Sequence, residues 1–172
     1  MSRRAKDLVI APVGEALLLL IAALVGWLSH QPLIFASLGP TAYEQIETPH
    51  RRSARPYSIF TGHFVAIGCG YIALAVTRAW SVPPVSASGV PLDRIWAVVL
   101  SAALTVVVTL LLHASQPAAL STTLLISTGI LQQPRDAALI LGAVVLMILA
   151  GEPLRRLRLR DQEGAKTAAE QQ

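Results

Sequence analysis

The sequence predicts an all-α integral membrane protein with six membrane-embedded segments, arranged as a three-plus-three inverted repeat with two short or broken helices. Three observations carry this prediction. Of the 172 residues, 53% are hydrophobic and only 14% are charged, whereas a soluble domain carries about 25% charged residues. Most of the basic residues lie in clusters that flank apolar stretches. Two short apolar segments, interrupted by Pro or Gly, occupy matching places in the two halves of the chain.

Eleven of the fourteen Lys and Arg residues fall into three short clusters. Bilayer-embedded proteins keep Lys and Arg mainly on the cytoplasmic side. Each cluster therefore indicates a return of the chain to the cytoplasm. We expect a protein of the bacterial inner (plasma) membrane with both termini cytoplasmic. The clusters are Arg3, Arg4 and Lys6; Arg51, Arg52 and Arg55; and Arg155, Arg156, Arg158, Arg160 and Lys166.

The order of apolar and polar stretches predicts a single membrane domain over residues 13–154. Residues 1–12 are predicted to be a cytoplasmic N-terminus, and residues 155–172 a basic cytoplasmic tail. The first apolar stretch resembles a secretory signal without a cleavage pattern, so we expect an uncleaved signal-anchor helix. Repeat one covers residues 13–79 and repeat two residues 93–154. The predicted segments are 13–29, 33–46 and 57–77 in repeat one, and 95–112, 118–131 and 137–150 with its flanks in repeat two.

The number of membrane crossings depends on the two short segments, 33–46 and 118–131. If both cross, there are six crossings and all three basic clusters share one side of the membrane. If both only dip into the bilayer and return, there are four crossings, and the cluster at Arg51–Arg55 faces outward. The charge distribution favours six.

The two short segments open in a similar way, with Gln31-Pro32 in one and Gln116-Pro117 in the other. With three crossings in each half, the second half enters the membrane from the opposite side. Short segments interrupted by Gly or Pro at matching places in two halves indicate a transport site. The sequence thus predicts an inverted-topology repeat with its binding site between the short segments.

The first short segment carries Ser37, Gly39, Pro40 and Thr41. Proline is favoured at the first position of a helix, so a half-helix is predicted to begin near Pro40, inside the membrane. Its free backbone N–H groups and the positive end of its dipole favour an anion. These four residues are therefore predicted to contact a substrate.

In the second half, Ser121, Thr122 and Thr123 are predicted to cap the equivalent half-helix, and Gln116, Ser121 and Thr122 are predicted to contact the substrate. The alternative for any one of these hydroxyls is a hydrogen bond to its own helix or to a neighbouring one. His63 lies in the first turns of a predicted span, where a histidine is a candidate functional residue. We expect it to line the substrate path.

Other chemistry-bearing residues are assigned simpler roles. Cys69, the only cysteine, is predicted to be a small packing residue. Glu44 is predicted to lie at a solvated or salt-bridged helix end, with proton coupling as the alternative. The sequence contains no catalytic motif, metal-ligand spacing or phosphate-binding loop. The prediction is a protein that is not an enzyme, without a cofactor or metal, that binds membrane lipids and no nucleic acid.

Several short motifs resemble the signature of the HPP family of small integral membrane proteins. They are Ala36-Ser37-Leu38-Gly39, Ala54-Arg55-Pro56 and Thr61-Gly62-His63. The segment Gln116-Pro117-Ala118-Ala119 stands where that family has His-Pro-Pro, so no histidine role carries over to it. Plastid and cyanobacterial members of the family are associated with nitrite transport. The resemblance thus implies a small inorganic anion as substrate.

The sequence is compatible with two function classes. The first is a small transporter or channel for a compact anion, which we expect to form a homo-oligomer, with a dimer favoured. The second is a non-transporting scaffold or accessory subunit, in which Gly62, Gly68 and Gly70 would contact a partner protein.

Overall fold

The computed structural model describes the backbone of residues 3–170 and the side chains of residues 7–87 and 89–164. The side chains of the first basic cluster and of Lys166 lie outside that description. Over the described residues the chain is all helical and contains no strand. The helices are α1 (Arg3–Ser29), α2 (Leu38–Ile46), α3 (Pro56–Val76), α4 (Val85–Ser88), α5 (Leu92–Leu111), α6 (Pro117–Ser127) and α7 (Pro134–Glu170), with 3₁₀ turns at Arg52–Ala54 and Ala79–Ser81.

Within the described part of the chain, four helices are long and apolar enough to cross a membrane, which confirms the prediction of an all-α integral membrane protein. The spans are Asp7–Ser29, Pro56–Val76, Leu92–Leu111 and Pro134–Gly164. The other two predicted segments form helices of only 9 and 11 residues, α2 and α6. At 1.5 Å per residue they are about 14 and 16 Å long, roughly half of the 30 Å hydrocarbon core.

Two helix boundaries differ from the sequence prediction. Helix α1 begins at Arg3, well before residue 13, and α7 continues to Glu170 through the predicted tail. Both extensions are rich in residues such as Ala, Leu, Arg and Glu, which have high helix propensity. Hydropathy marks where a helix enters the bilayer, and it does not mark where the helix ends.

One end of the molecule, here called the basic end, gathers parts of α1, α2 and α7. Arg158 of α7 donates to Asp7 of α1 at 2.9 Å and to the carbonyl of Ile46, the last residue of α2, at 3.1 Å. Arg155 donates to the carbonyl of Pro49 at 2.8 Å. The loop with the second basic cluster therefore starts beside the third basic cluster. Tyr57, at the start of α3, donates to the carbonyl of Leu112 just after α5.

The opposite end, here called the far end, gathers the ends of α1 and α3 and the start of α7. Arg135, near the start of α7, donates to Gln31 just after α1 at 3.0 Å. Tyr71, in the last turns of α3, donates to the carbonyl of Gln133 at 2.8 Å. Helices α1 and α3 therefore run from the basic end to the far end, and α5 and α7 run in the reverse direction.

The packing of the helices has a two-fold pattern. The principal contacts pair α1 with α2 and α7, α3 with α5, α6 and α7, α5 with α6, and α2 with α6 and α7. If α1 is exchanged with α5, α2 with α6 and α3 with α7, the same set of contacting pairs is obtained. In addition, His30 after α1 and His113 after α5 both have left-handed backbones, with φ of 53° and 52°. This conformation is uncommon for residues other than Gly.

Candidate functional site

His63 lies where the two short helices meet. It is fully buried in the second turn of α3, between α2 and α6. Its Nε2 is 3.3 Å from the Thr41 hydroxyl of α2, and its Nδ1 is 2.7 Å from the Thr122 hydroxyl of α6. One imidazole thus connects residues that are 22 and 59 positions away in the sequence.

The partners of the Thr41 hydroxyl determine which ring nitrogen of His63 carries the proton. Thr41 donates its own proton to the Ser37 carbonyl at 2.8 Å, so it accepts from Nε2–H. In a neutral ring Nδ1 is then the acceptor, and the Thr122 hydroxyl donates to it. A second proton on His63 would reverse that bond and leave the Thr122 proton available to a ligand.

Helix α2 begins at Leu38, two residues before the predicted start at Pro40. Leu38 N–H bonds to the carbonyl of Phe35, so a turn in the preceding loop starts the helix early. Ser37 is fully buried just before α2, and its hydroxyl has no partner. Gly39 is half-buried and Pro40 exposed, so the structure separates them from the buried residues around His63.

Helix α6 begins at Pro117, which corrects the expected cap at Ser121 and Thr122. The side chain of Gln116 caps the helix by accepting from Ala118 N–H at 2.9 Å. Thr122 lies in the second turn and points to His63, while Ser121 is half-buried and makes no described contact with His63. The Gln-Pro pairs also differ, because Pro117 starts a helix and Pro32 lies in non-helical chain.

The Gln116 side chain packs closely against Gly62, the residue before His63. A Cβ added to Gly62 would lie 2.7 Å from the Gln116 Cβ, so only glycine lets these two segments approach so closely. The Nε2 of Gln116 is buried and has no partner. It lies beside the Glu44 carboxyl, whose Oε1 accepts from Ser53 at 2.8 Å and whose buried Oε2 forms no hydrogen bond.

Other buried hydroxyls are fully used within the protein. Thr123 donates to the Ala66 carbonyl at 2.7 Å, and Thr105 of α5 lies 2.7 Å from the Thr123 hydroxyl. These bonds join α3, α5 and α6, and they leave no free donor. Among the described side chains, no group of three or more His, Cys, Asp or Glu residues is placed to hold a metal ion.

The structure brings Ser37, Thr41, His63, Gln116 and Thr122 into one buried cluster, here called the His63 cluster. A family model described as HPP, transmembrane region, matches residues 2–158. The chain belongs to the HPP family. No curated protein and no solved structure gives a significant match.

In this HPP family member, two of the three motifs that resemble the family signature meet in space with the segment that stands where the family has His-Pro-Pro. Ala36–Gly39 stands at the start of α2, Thr61–His63 lies in α3, and Gln116-Pro117 begins α6. The three segments are far apart in sequence and meet at the His63 cluster. The third motif, Ala54-Arg55-Pro56, leads into the start of α3.

Sequence reasoning missed several buried polar residues of this HPP chain, among them Arg94, Gln45 and Arg158. Arg94 is fully buried and donates only to uncharged oxygens, although it lies just outside the predicted segment 95–112. Gln45 is fully buried against Gly151 of α7, and its amide has no hydrogen-bond partner. The signal available for Arg94 was its charge beside a strongly apolar stretch, where a basic residue needs specific partners.

Proposed function

We propose that this HPP protein is a small transporter or channel for a compact inorganic anion such as nitrite. The observation that carries the proposal is the arrangement of α2 and α6. The two short helices lead to opposite ends of the molecule, and residues near their N-termini meet at His63. Half-helices with this arrangement form the substrate sites of many transporters.

Six crossings, arranged as two inverted triplets, are part of this proposal. The opposite directions of α1 and α5, and of α3 and α7, support it, as does the two-fold set of helix contacts. The Ile46 carbonyl contacts Arg158 at the basic end, while Gln31 contacts Arg135 at the far end. The segment from Gln31 to Ile46 thus extends between both ends, in part as non-helical chain and in part as α2.

A free donor of the His63 cluster supports an anion as the substrate. The Ser37 hydroxyl is buried without a partner and can donate a hydrogen bond, whereas the Gln116 amide already faces the Glu44 carboxyl. The N-terminal ends of two helix dipoles add positive potential. The Gln116 cap occupies one N–H of α6, so we assign the ligand contacts chiefly to side chains.

The scaffold alternative has weaker support. In the structure Gly62 packs against Gln116, and Gly70 packs against Ile126 of the same chain. Neither glycine faces away from the protein, as a contact with a partner subunit would require. Of the three glycines, only Gly68 is exposed, with nothing within 4 Å of an added Cβ.

The proposal is tested by flux of a panel of anions in proteoliposomes that contain the purified protein alone. Nitrite, nitrate, chloride and sulfate are measured against protein-free liposomes. We expect saturable flux of at least one small monovalent anion and none of sulfate. Absence of flux for every anion in the panel, from protein that is folded and monodisperse, would refute the assignment.

A further inference from the structure

The C-terminal end of α6 is held by a buried arginine. Arg94 of α5 donates through Nη1 to the carbonyl of Ser127, the last residue of α6, at 3.2 Å. Its Nη2 donates to Gln132 Oε1 at 2.9 Å and to the carbonyl of Val82, and its Nε to the carbonyl of Pro83 at 3.4 Å. This set of contacts, here called the far-end clamp, fixes the end of α6 to the far-end loops.

The C-terminal end of α2 is held in the same way at the other end of the molecule. Arg158 of α7, 5% exposed, donates through Nε to the carbonyl of Ile46, the last residue of α2, at 3.1 Å. Its Nη1 forms an ion pair with Asp7 of α1 at 2.9 Å. These contacts are here called the basic-end clamp.

The physical reason for both clamps is the same. The last carbonyls of a helix lack partners within the helix and carry its negative dipole end. A guanidinium satisfies them with charge-assisted hydrogen bonds. Removal of a charge from water costs several kcal/mol unless partners compensate it, so two buried arginines at the ends of the two short helices are a costly arrangement to keep.

Each clamp lies close to the His63 cluster along its helix. Thr41 lies five residues before Ile46, and Thr122 five residues before Ser127. Five residues of helix are about 7.5 Å. A shift of either helix end therefore moves a hydroxyl that contacts His63.

We propose that Arg94 and Arg158 are positioning residues that close the His63 cluster toward the far end and the basic end respectively. This inference rests on the proposed transport function and extends it. Release of one clamp frees one short helix and opens the cluster toward that end only. The ion pair with Asp7 makes the basic-end clamp sensitive to charge, whereas the far-end clamp has only uncharged acceptors.

The rate at which a single buried cysteine is labelled from each side of the membrane measures this opening. In a Cys69→Ser background, Ser37→Cys places a thiol in the His63 cluster. A membrane-impermeant methanethiosulfonate reagent is then added to one side of oriented vesicles at a time. We expect Arg158→Gln and Asp7→Asn to raise the labelling rate from the basic end about tenfold or more, as loss of a charged hydrogen bond implies. Arg94→Gln should raise the labelling rate from the far end only.

Matched controls are exposed arginines at the same ends. Arg156→Gln removes a side chain that is 71% exposed and pairs with Glu152, and Arg135→Gln removes one that contacts Gln31. Neither should change labelling from either side. If Arg94→Gln does not purify as a monodisperse protein, Gln132→Leu removes one acceptor of the far-end clamp and should give a smaller rise from the same side.

Equal rises from both sides, or no rise in folded clamp variants, would overturn the clamp proposal. Labelling does not require transport, so the labelling experiment tests the clamps independently of the proposed transport function. Sided labelling without anion flux would support the clamps and contradict the transporter. Anion flux without sided labelling would support the transporter and contradict the clamps.

Discussion

The His63 Nδ1 and the Thr122 hydroxyl lie 2.7 Å apart and join the first helix triplet to the second. With the Thr41 contact on Nε2, this bond makes one imidazole the meeting point of both short helices. A buried side chain with two partners from different elements is held in a fixed orientation. Changes at His63 or at either threonine should therefore affect both halves of the protein.

The first prediction concerns the proton on His63. The hydrogen bonds assign it to Nε2, because Thr41 uses its own proton on the Ser37 carbonyl. Nitrogen-15 NMR of histidine-labelled protein should therefore detect a neutral ring protonated at Nε2 with Thr122 bonded to Nδ1. In Thr122→Val, the Nδ1 shift should move because its donor is lost. A ring protonated at Nδ1 in the wild-type protein would contradict the assignment.

The second prediction concerns stability. His63→Leu leaves the Thr122 hydroxyl without its partner, while the Thr41 hydroxyl keeps its bond to the Ser37 carbonyl; a buried unsatisfied polar group costs about 1–3 kcal/mol. We expect a lower thermal midpoint in detergent than for the wild-type protein. Phe64→Leu is the control, since Phe64 is next in the chain and 58% exposed. An unchanged midpoint for His63→Leu would mean that the two bonds do not stabilise the fold.

The third prediction concerns the glycines of α3. A Cβ at Gly70 would lie 2.9 Å from Cγ2 of Ile126, so Gly70→Ala forces α3 and α6 apart. Overpacking of this kind costs about 1–3 kcal/mol, which should lower the thermal midpoint. Gly68→Ala meets nothing within 4 Å and should stabilise the helix by about 0.5–1 kcal/mol. The reverse order of stability for the two variants would contradict the packing.

The fourth prediction concerns Glu44, the carboxyl beside Gln116. Ser53 donates to it, and the charge of Arg51 acts on it from the same loop. If it carries a proton with the anion, Glu44→Gln should retain exchange of labelled nitrite between equal pools and lose accumulation driven by a proton gradient. Glu47→Gln is the control three residues away. Gradient-driven accumulation by Glu44→Gln would exclude this role.

The fifth prediction concerns the number of crossings. His50 is exposed in the loop that follows α2, and Val90 is 66% exposed before α5. Six crossings place His50→Cys on the cytoplasmic side and Val90→Cys on the outside. Labelling of intact cells with a membrane-impermeant thiol reagent, in the Cys69→Ser background, reports on which side of the membrane each cysteine lies. The reverse pattern would indicate four crossings.

The sequence predicted the long helices well because a sufficiently long run of apolar residues is itself the signal of a membrane span. Helix α3 was expected over 57–77 and is found at Pro56–Val76. The helix ends were harder, because they depend on single contacts. A glutamine side chain caps α6, and a turn before Leu38 starts α2 ahead of Pro40.

Tertiary contacts account for what the sequence could not reveal about the site. Nothing in the spacing of Arg94 indicates that its partners are the carbonyls of Val82, Pro83 and Ser127. The unpartnered Gln116 amide beside Glu44 depends on a close approach at Gly62. His63 was accessible to prediction because histidine is rare within apolar spans and usually has a function where it occurs there.

The most direct test of the central claim is nitrite flux in proteoliposomes for Thr122→Val against Thr128→Val. Both threonines lie at α6, but the Thr128 hydroxyl bonds only to carbonyls of its own helix, while the Thr122 hydroxyl bonds to His63. We expect saturable nitrite flux that falls about tenfold or more in Thr122→Val, as a loss of about 1.4 kcal/mol implies. We expect wild-type flux in Thr128→Val. Equal flux in the two variants would contradict a substrate site at the His63 cluster.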